Sequence, residues 1–488
     1  MKKIFLISIV SLALFATSSC DKMLDINQNP NYPTTSSADL SLSSSEVYIT
    51  SAIGGDLQLL GGIWSQHYAQ HTGSNQYTGI DSYNLPNSSS YITRSWSLFY
   101  SGALPDLETT ISESATNKEW SIWFMAQTLK AFSYHVLVDF YGEVPFTEAT
   151  KGVSVNPKYD SGKTVNAGII AILDLAIAKE ADAKVANALL LDSRLKSDLL
   201  LDCDIDTWIK FAKTLKLKVL LRDYTTNKVA INALLAEGDL LESDVIFGKF
   251  EDKENNSNPL FENDRRKLNT TLNLRGSSTL VKYLLSKGDP RLGVFFDKNG
   301  AGGYIGLPQG GYTLGTSWTP KTSRATLAAT DPVFFMSAAE SHFLQAECYA
   351  LDSKTANAKT QYDLGVNSAF ERCNLDGSTF IATGGVYEFV TTSQTTMLES
   401  IWRQKWIAAT RSQAWDSFFD INRTGFPKYG TLDSEKAGYV VGELAPSINS
   451  VLPAGEFPRR MIYPKTSIDY NPNAPVTIPM QTKMWWHK

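Results

Sequence analysis

The chain has 488 residues, is 43% hydrophobic and 19% charged, and carries a formal charge of −5. That composition suits a large globular core, and the length exceeds one ordinary domain. With no basic block there is no nucleic-acid footprint. Cys20, Cys203, Cys348 and Cys373 are too irregularly spaced to form a disulfide framework.

The chain opens like an export signal. Lys2 and Lys3 precede an apolar run, Ile4 to Ala16, which is too short for a hydrocarbon core that needs about 20 residues. Thr17, Ser18 and Ser19 are small, and after Cys20 the sequence turns polar. A cysteine at that border resembles the lipobox of bacterial lipoproteins, although Thr17 stands where such boxes usually carry Leu. Residues 1–19 are therefore expected to be cleaved and Cys20 to be lipidated. One acyl chain binds a membrane marginally and stable anchoring takes more.

Residues 72–95, polar with three tyrosines, read as a loop. Over 120–141 the stripe Ile122, Met125, Leu129, Phe132, Val136 and Phe140 predicts a deeply buried helix, stopped by Gly142. Further helices follow from Val165, Ile169, Ile172 and Ala176, and from Trp208, Ala212, Leu215 and Val219. Residues 250–334 are rich in Asn, Gly, Ser and Thr and read as a second loop excursion. Then come Phe335, Ala339, Phe343, Ala346 and Ala350, followed by Ala358, Tyr362, Val366 and Phe370. This pair resembles a tetratricopeptide-like hairpin, which buries its faces by stacking on neighbours. One long helical stretch over 396–420 carries Leu398, Ile401, Lys405, Ala408, Trp415 and Phe419, and residues 423–488 form a proline-rich third excursion. Strand-like alternation is scarce. The expected fold is all-α, a superhelix of helix pairs with long irregular loops.

Several motifs invite chemistry. His67 and His71 in "HYAQH" are one helical turn apart, but no third ligand or base accompanies them, so they read as surface or loop-anchoring histidines. Asp202, Asp204 and Asp206 alternate like a calcium loop, yet Thr207 and Lys213 stand where an EF-hand needs Gly and Glu. Their acidity suits a helix start, with Asp206 as cap; structural calcium elsewhere stays open. Glu340 and Glu347 share a helix face, and one of them is expected to pair with an arginine of a neighbouring helix rather than the two to hydrolyse a glycosidic bond. In "NRTGFP", Arg423, Gly425 and Pro427 mark a helix C-terminus. Cys348 reads as a buried small hydrophobe. No catalytic residue, metal or cofactor is expected.

Seven segments in order resemble the SusD/RagB-like nutrient-binding lipoproteins of Bacteroidetes. They are "CDKMLDINQNPN", "LKAFSYHVLVDFYGEVPFTEA", "WIKFAKTLKLKVLLR", "DPVFFMSAAESHFLQAECYA", "IWRQKWIAATRSQAWDSFFDINRTGFP", "PRRMIYPKTSIDYNPN" and the terminal "MWW". In the third, Lys213 replaces the family's usual Asn. The resemblance covers residues 20–488 as one SusD/RagB-like domain. It implies an outer-membrane lipoprotein facing outside, with Asp21 and Asp25 resembling the surface-export signal. It also implies a SusC/RagA-like TonB-dependent transporter as partner and an oligosaccharide, or in some branches a peptide, as ligand.

A sugar ring offers an apolar C–H face that stacks on Trp or Tyr while its hydroxyls meet amides and carboxylates. Tyr77, Tyr83, Tyr91, Tyr304, Tyr312 and Trp318 lie on polar loops and are the candidate ligand-binding residues, with Trp318 and Tyr77 foremost. Each could instead pin its loop to the core. Two readings compete with glycan capture: peptide binding, and a helix-pair protein that docks a partner and takes no small ligand. An anchored hydrolase is a third.

Overall fold

The apolar stripe of residues 120–141 becomes the central helix of the molecule. A computed structural model describes residues 37–152, 154–268 and 273–488; the export signal, Cys20, Asp21 and Asp25 lie outside them. The principal helices are α1 (Ala38–Gly54), α2 (Asp56–Trp64), α3 (Ser90–Ser97), α4 (Leu104–Asn117), α5 (Trp120–Tyr141), α6 (Gly162–Ile177) and α7 (Glu180–Asn187). They continue with α8 (Ile205–Leu220), α9 (Tyr224–Glu237), α10 (Ser278–Lys287), α11 (Ala338–Leu351), α12 (Thr355–Glu371), α13 (Gln394–Ala408) and α14 (Ala414–Thr424).

Apart from Trp120 and Lys130, every residue of α5 is buried. Apolar side chains around the whole circumference forbid a solvent face, so neighbours must cover α5 on all sides. It packs against α4, α6 and α8. Gly142, at φ +82°, ends it and donates its N–H to the Val138 carbonyl. Such a positive φ suits a residue without Cβ.

The hairpin expected at 335–370 is present as α11 and α12, which pack closely, with α13 across α11. Phe335 belongs to a strand instead of the helix. The stretch 396–420 is two helices, not one. It breaks at Ala409–Gln413, where Arg411 takes a φ of +61°, and α14 then turns to pack on α2. The cap of α8 is Asp204, whose side chain accepts from the Thr207 N–H; Asp206 lies inside the first turn.

Strands are few and short. Among the described residues they form three antiparallel pairs: β1 (Tyr68–Gln70) with β5 (Leu274–Gly276), β2 (Val144–Pro145) with β3 (Tyr159–Asp160), and β4 (Val245–Phe247) with β6 (Val333–Met336). "HYAQH" therefore surrounds a strand, not a helix. His67 and His71 are both buried, and burial lowers their pKa values to about 3 and about 4. His67 packs its ring 5.8 Å from Trp406.

Ion pairs bind the helices at depth. The Lys218 ammonium on α8 lies 2.7 Å from Glu340 on α11 and 2.6 Å from Asp416 on α14. Lys405, counted in the apolar stripe of α13, contacts Asp420 at 2.5 Å. Removing one partner from such a network strands a buried charge, which is why these residues fix helix positions.

Candidate functional site

The loop after β1 and the segment before β5 meet at one end of the antiparallel pair, because Gln70 lies opposite Leu274. The His71 N–H donates to the Asn273 carbonyl at 2.8 Å and continues the pairing past the strand. Thr72 then meets Thr319, hydroxyl to hydroxyl at 3.1 Å. Residues 72–83 and 305–322, far apart in sequence, thus lie together.

Asp81 ties them. One oxygen accepts from the Gln70 N–H at 2.9 Å; the other accepts from the Gly310 N–H at 3.0 Å and from the Gln309 amide. The carboxyl is fully buried, and burial raises its pKa to about 7 against the pull of those donors. The third excursion joins the same knot. The Ile448 N–H donates to Gln309 at 3.0 Å, the Val451 N–H to Ser82 at 3.0 Å, and the Asn449 amide to Gly310 at 2.7 Å. Asp81 escaped the sequence reading because its partners lie 11 and more than 200 residues away. A lone Asp in a polar turn gives no local signal of that role.

The six candidate rings divide by burial. Tyr77 and Tyr83 are each 2% exposed and offer no ring face to solvent. Tyr77 donates its hydroxyl to Asp264 at 2.8 Å, and Tyr83 packs toward Phe457. For these two, burial corrects the expectation of display: they anchor the loops. Tyr91 and Tyr304 are half-buried against the core. Tyr91 bonds the Gln76 carbonyl at 3.2 Å. Tyr312 and Trp318 have the same intermediate exposure and stand on two helical turns, Gly311–Thr313 and Thr316–Trp318. Next to Tyr312 lies Asn449, whose amide also donates to the Thr313 hydroxyl at 2.8 Å. Partly exposed rings beside amides and hydroxyls can hold a ligand having one apolar face and a polar rim.

Residues 53–464 match a SusD-like family model described as "Starch-binding associating with outer membrane". The chain belongs to the SusD-like family. A SusD homologue from Bacteroides uniformis superposes with a TM-score of 0.72 at 23% identity, covering 92% of this chain and 99% of that one. A chitin-binding SusD homologue from Flavobacterium johnsoniae gives 0.73 at 18% identity, covering 91% and 98%. A SusD-like protein from Bacteroides thetaiotaomicron gives 0.70 at 21%, covering 92% and 98%. No curated protein matches. At these identities the likeness establishes the SusD-like fold, the all-α arrangement expected from the sequence.

Lys213 is 2% exposed and its ammonium sits among Glu180 (3.0 Å), Asp239 (2.9 Å) and Glu237. These three carboxylates approach one another within 4.8 Å, and the lysine supplies the positive charge between them. Burial disfavours that charge, but the carboxylates outweigh it and raise the lysine pKa above its ordinary value. Glu347 pairs with Arg423 of a neighbouring helix, as expected. Cys348 is buried, and burial raises its thiol pKa well above the ordinary value. Among the described residues, no helix is long and apolar enough to cross a membrane.

Proposed function

We propose that this SusD-like chain is a cell-surface lipoprotein that captures glycan fragments and passes them to a TonB-dependent transporter. Binding is non-covalent and without turnover. The single observation that carries this reading is the knot at Asp81, which gathers three polar loops and sets Asn449 against the turn that carries the partly exposed Tyr312. The family description as starch-binding and the chitin-binding relative favour glycan over peptide. Cys20 holds the lipid, and a SusC-like transporter is the partner.

A glycan array and a peptide library, both probed with the chain, test the ligand class. Selective retention on glycans, reduced by Trp318→Ala, supports the proposal. Retention on peptides alone overturns it. A pull-down of outer-membrane proteins with the full chain tests the partner, and recovery of no TonB-dependent transporter would remove the delivery role.

A further inference from the structure

Within an arginine, Nε and Nη2 share one edge, whose two parallel N–H groups match the two oxygens of a carboxylate. Arg94, Arg194 and Arg291 each turn that edge to an aspartate. Arg403 on α13 does not. Its Nη1 donates to the Gly442 carbonyl at 2.6 Å, while Nε and Nη2 have no partner among the described residues. Arg403 is partly exposed, and neither of those nitrogens is enclosed. The guanidinium lies over the rings of Tyr283 and Phe426, 4.6 and 4.5 Å from their centroids. Such stacking fixes its place before any ligand arrives.

Arg403 lines a cleft of about 240 Å³ between α10, α12, α13 and residues 386–390. The cleft shares no lining residue with the loop cluster. Tyr283 lines it too, and the Tyr283 hydroxyl has no partner among the described residues.

The surrounding charges leave the arginine edge open. Glu399, one turn before Arg403 on α13, is drawn instead to Lys428 at 3.1 Å. Glu388 accepts the Gly384 N–H at 2.7 Å and is the lining carboxylate without an ion pair. Lys287 lies 5.8 Å from the Tyr283 ring and has no ion-pair partner among the described residues. Arg403 and Lys287 together outweigh Glu388. Burial holds the Arg403 pKa below its ordinary value, a cost that no counter-ion offsets.

A neutral ligand would leave that cost standing. A phosphate dianion brings twice the charge of a carboxylate and meets Glu388 with one lining cation. We infer that this cleft binds a carboxylate, held by two hydrogen bonds on the Nε–Nη2 edge of Arg403, at a site separate from the loop cluster. A volume below the usual range for small-molecule sites suits one acid-bearing unit. A uronic acid and a peptide C-terminus both carry that group.

Calorimetry on the full chain tests the inference. The acids are glucuronate, galacturonate and N-acetylalanine. Glucose, galactose and N-acetylalanine amide are their neutral counterparts, and inorganic phosphate is added as a second anion. At least one acid is expected to bind about tenfold or more tightly than its counterpart. Sugar acids against N-acetylalanine tell the two sources apart. Trp318→Ala is expected to leave the binding unchanged. Arg403→Gln is expected to weaken it about tenfold or more. Val386 lines the cleft and is 50% exposed, so Val386→Asp adds a repelling charge without disturbing the core. It is expected to weaken the acid several-fold with thermal unfolding unchanged, and it decides the matter if Arg403→Gln does not fold. No acid bound better than its neutral counterpart overturns the site, as does phosphate bound more tightly than every acid. Acid binding as tight in Arg403→Gln or in Val386→Asp as in the unaltered protein overturns it too. Loss in Trp318→Ala would place the acid at the loop cluster and overturn this assignment.

Discussion

Arg423 on α14 clamps Glu347 on α11 with two parallel hydrogen bonds of 2.6 and 2.8 Å. Both groups are buried, so neither can turn to water if the other is lost. Breaking such a pair from one side costs about 3–5 kcal/mol. Arg423→Ala and Glu347→Ala are each expected to lower unfolding free energy by about that amount in denaturant titrations. The double replacement should cost less than the sum of the two.

Trp318 and Tyr77 were equal candidates by sequence, and burial separates them. Trp318→Ala is expected to weaken glycan binding about tenfold, worth about 1.4 kcal/mol, with stability changed by under about 0.5 kcal/mol. Tyr77→Ala opens a cavity in the core and is expected to cost about 3–5 kcal/mol of stability. Thermal melts beside binding isotherms distinguish the two.

Asp81 gives the loops a pH dependence of definite sign. Its folded pKa, about 7, lies above the ordinary 3.8. Its contribution to stability is therefore fully present below about pH 4 and is lost as pH rises through 7. Asp81→Asn removes that component while also weakening the knot. The difference in melting temperature between the two proteins is expected to shrink from pH 4 to pH 8. A constant difference over that range would contradict the assignment.

At Lys213 the charge, not the packing, is what matters. Lys213→Asn is expected to destabilise this chain by about 2 kcal/mol, because Glu237 and Asp239 would lose their cation and face Glu180 across the gap. Raising salt should recover part of the loss through screening, and Lys213→Arg should recover most of it. Melting temperatures at two ionic strengths read both effects.

Cys20→Ala is expected to release the protein from the membrane fraction into the soluble one. Fractionation with immunodetection reads this directly, and unchanged membrane retention would refute the lipid anchor.

The helices were legible where apolar side chains wrap the whole cylinder, as in α5, or recur every fourth residue, as in α12. Helix α1 was not, because its sequence, "ADLSLSSSEVYITSAIG", scatters serines through a buried face. The stripe over 396–420 ran on through the break because Leu398 to Phe419 keep a helical spacing on both sides of it. Lys405 fitted the stripe only as a buried charge, whose partners sit on other helices. At the candidate site, composition showed that aromatic rings lie on polar loops. It could not show which rings turn inward, since the partner of Tyr77 is Asp264, 187 residues later.

The division between Tyr77 and Tyr83 below and Tyr312 and Trp318 above has an evolutionary corollary. Footing and display are carried by different residues. Under the proposed function, mutation can exchange the more exposed pair, and with it the preferred nutrient, while the buried pair stays as it was. A lineage built on this plan can follow a changing diet one surface residue at a time.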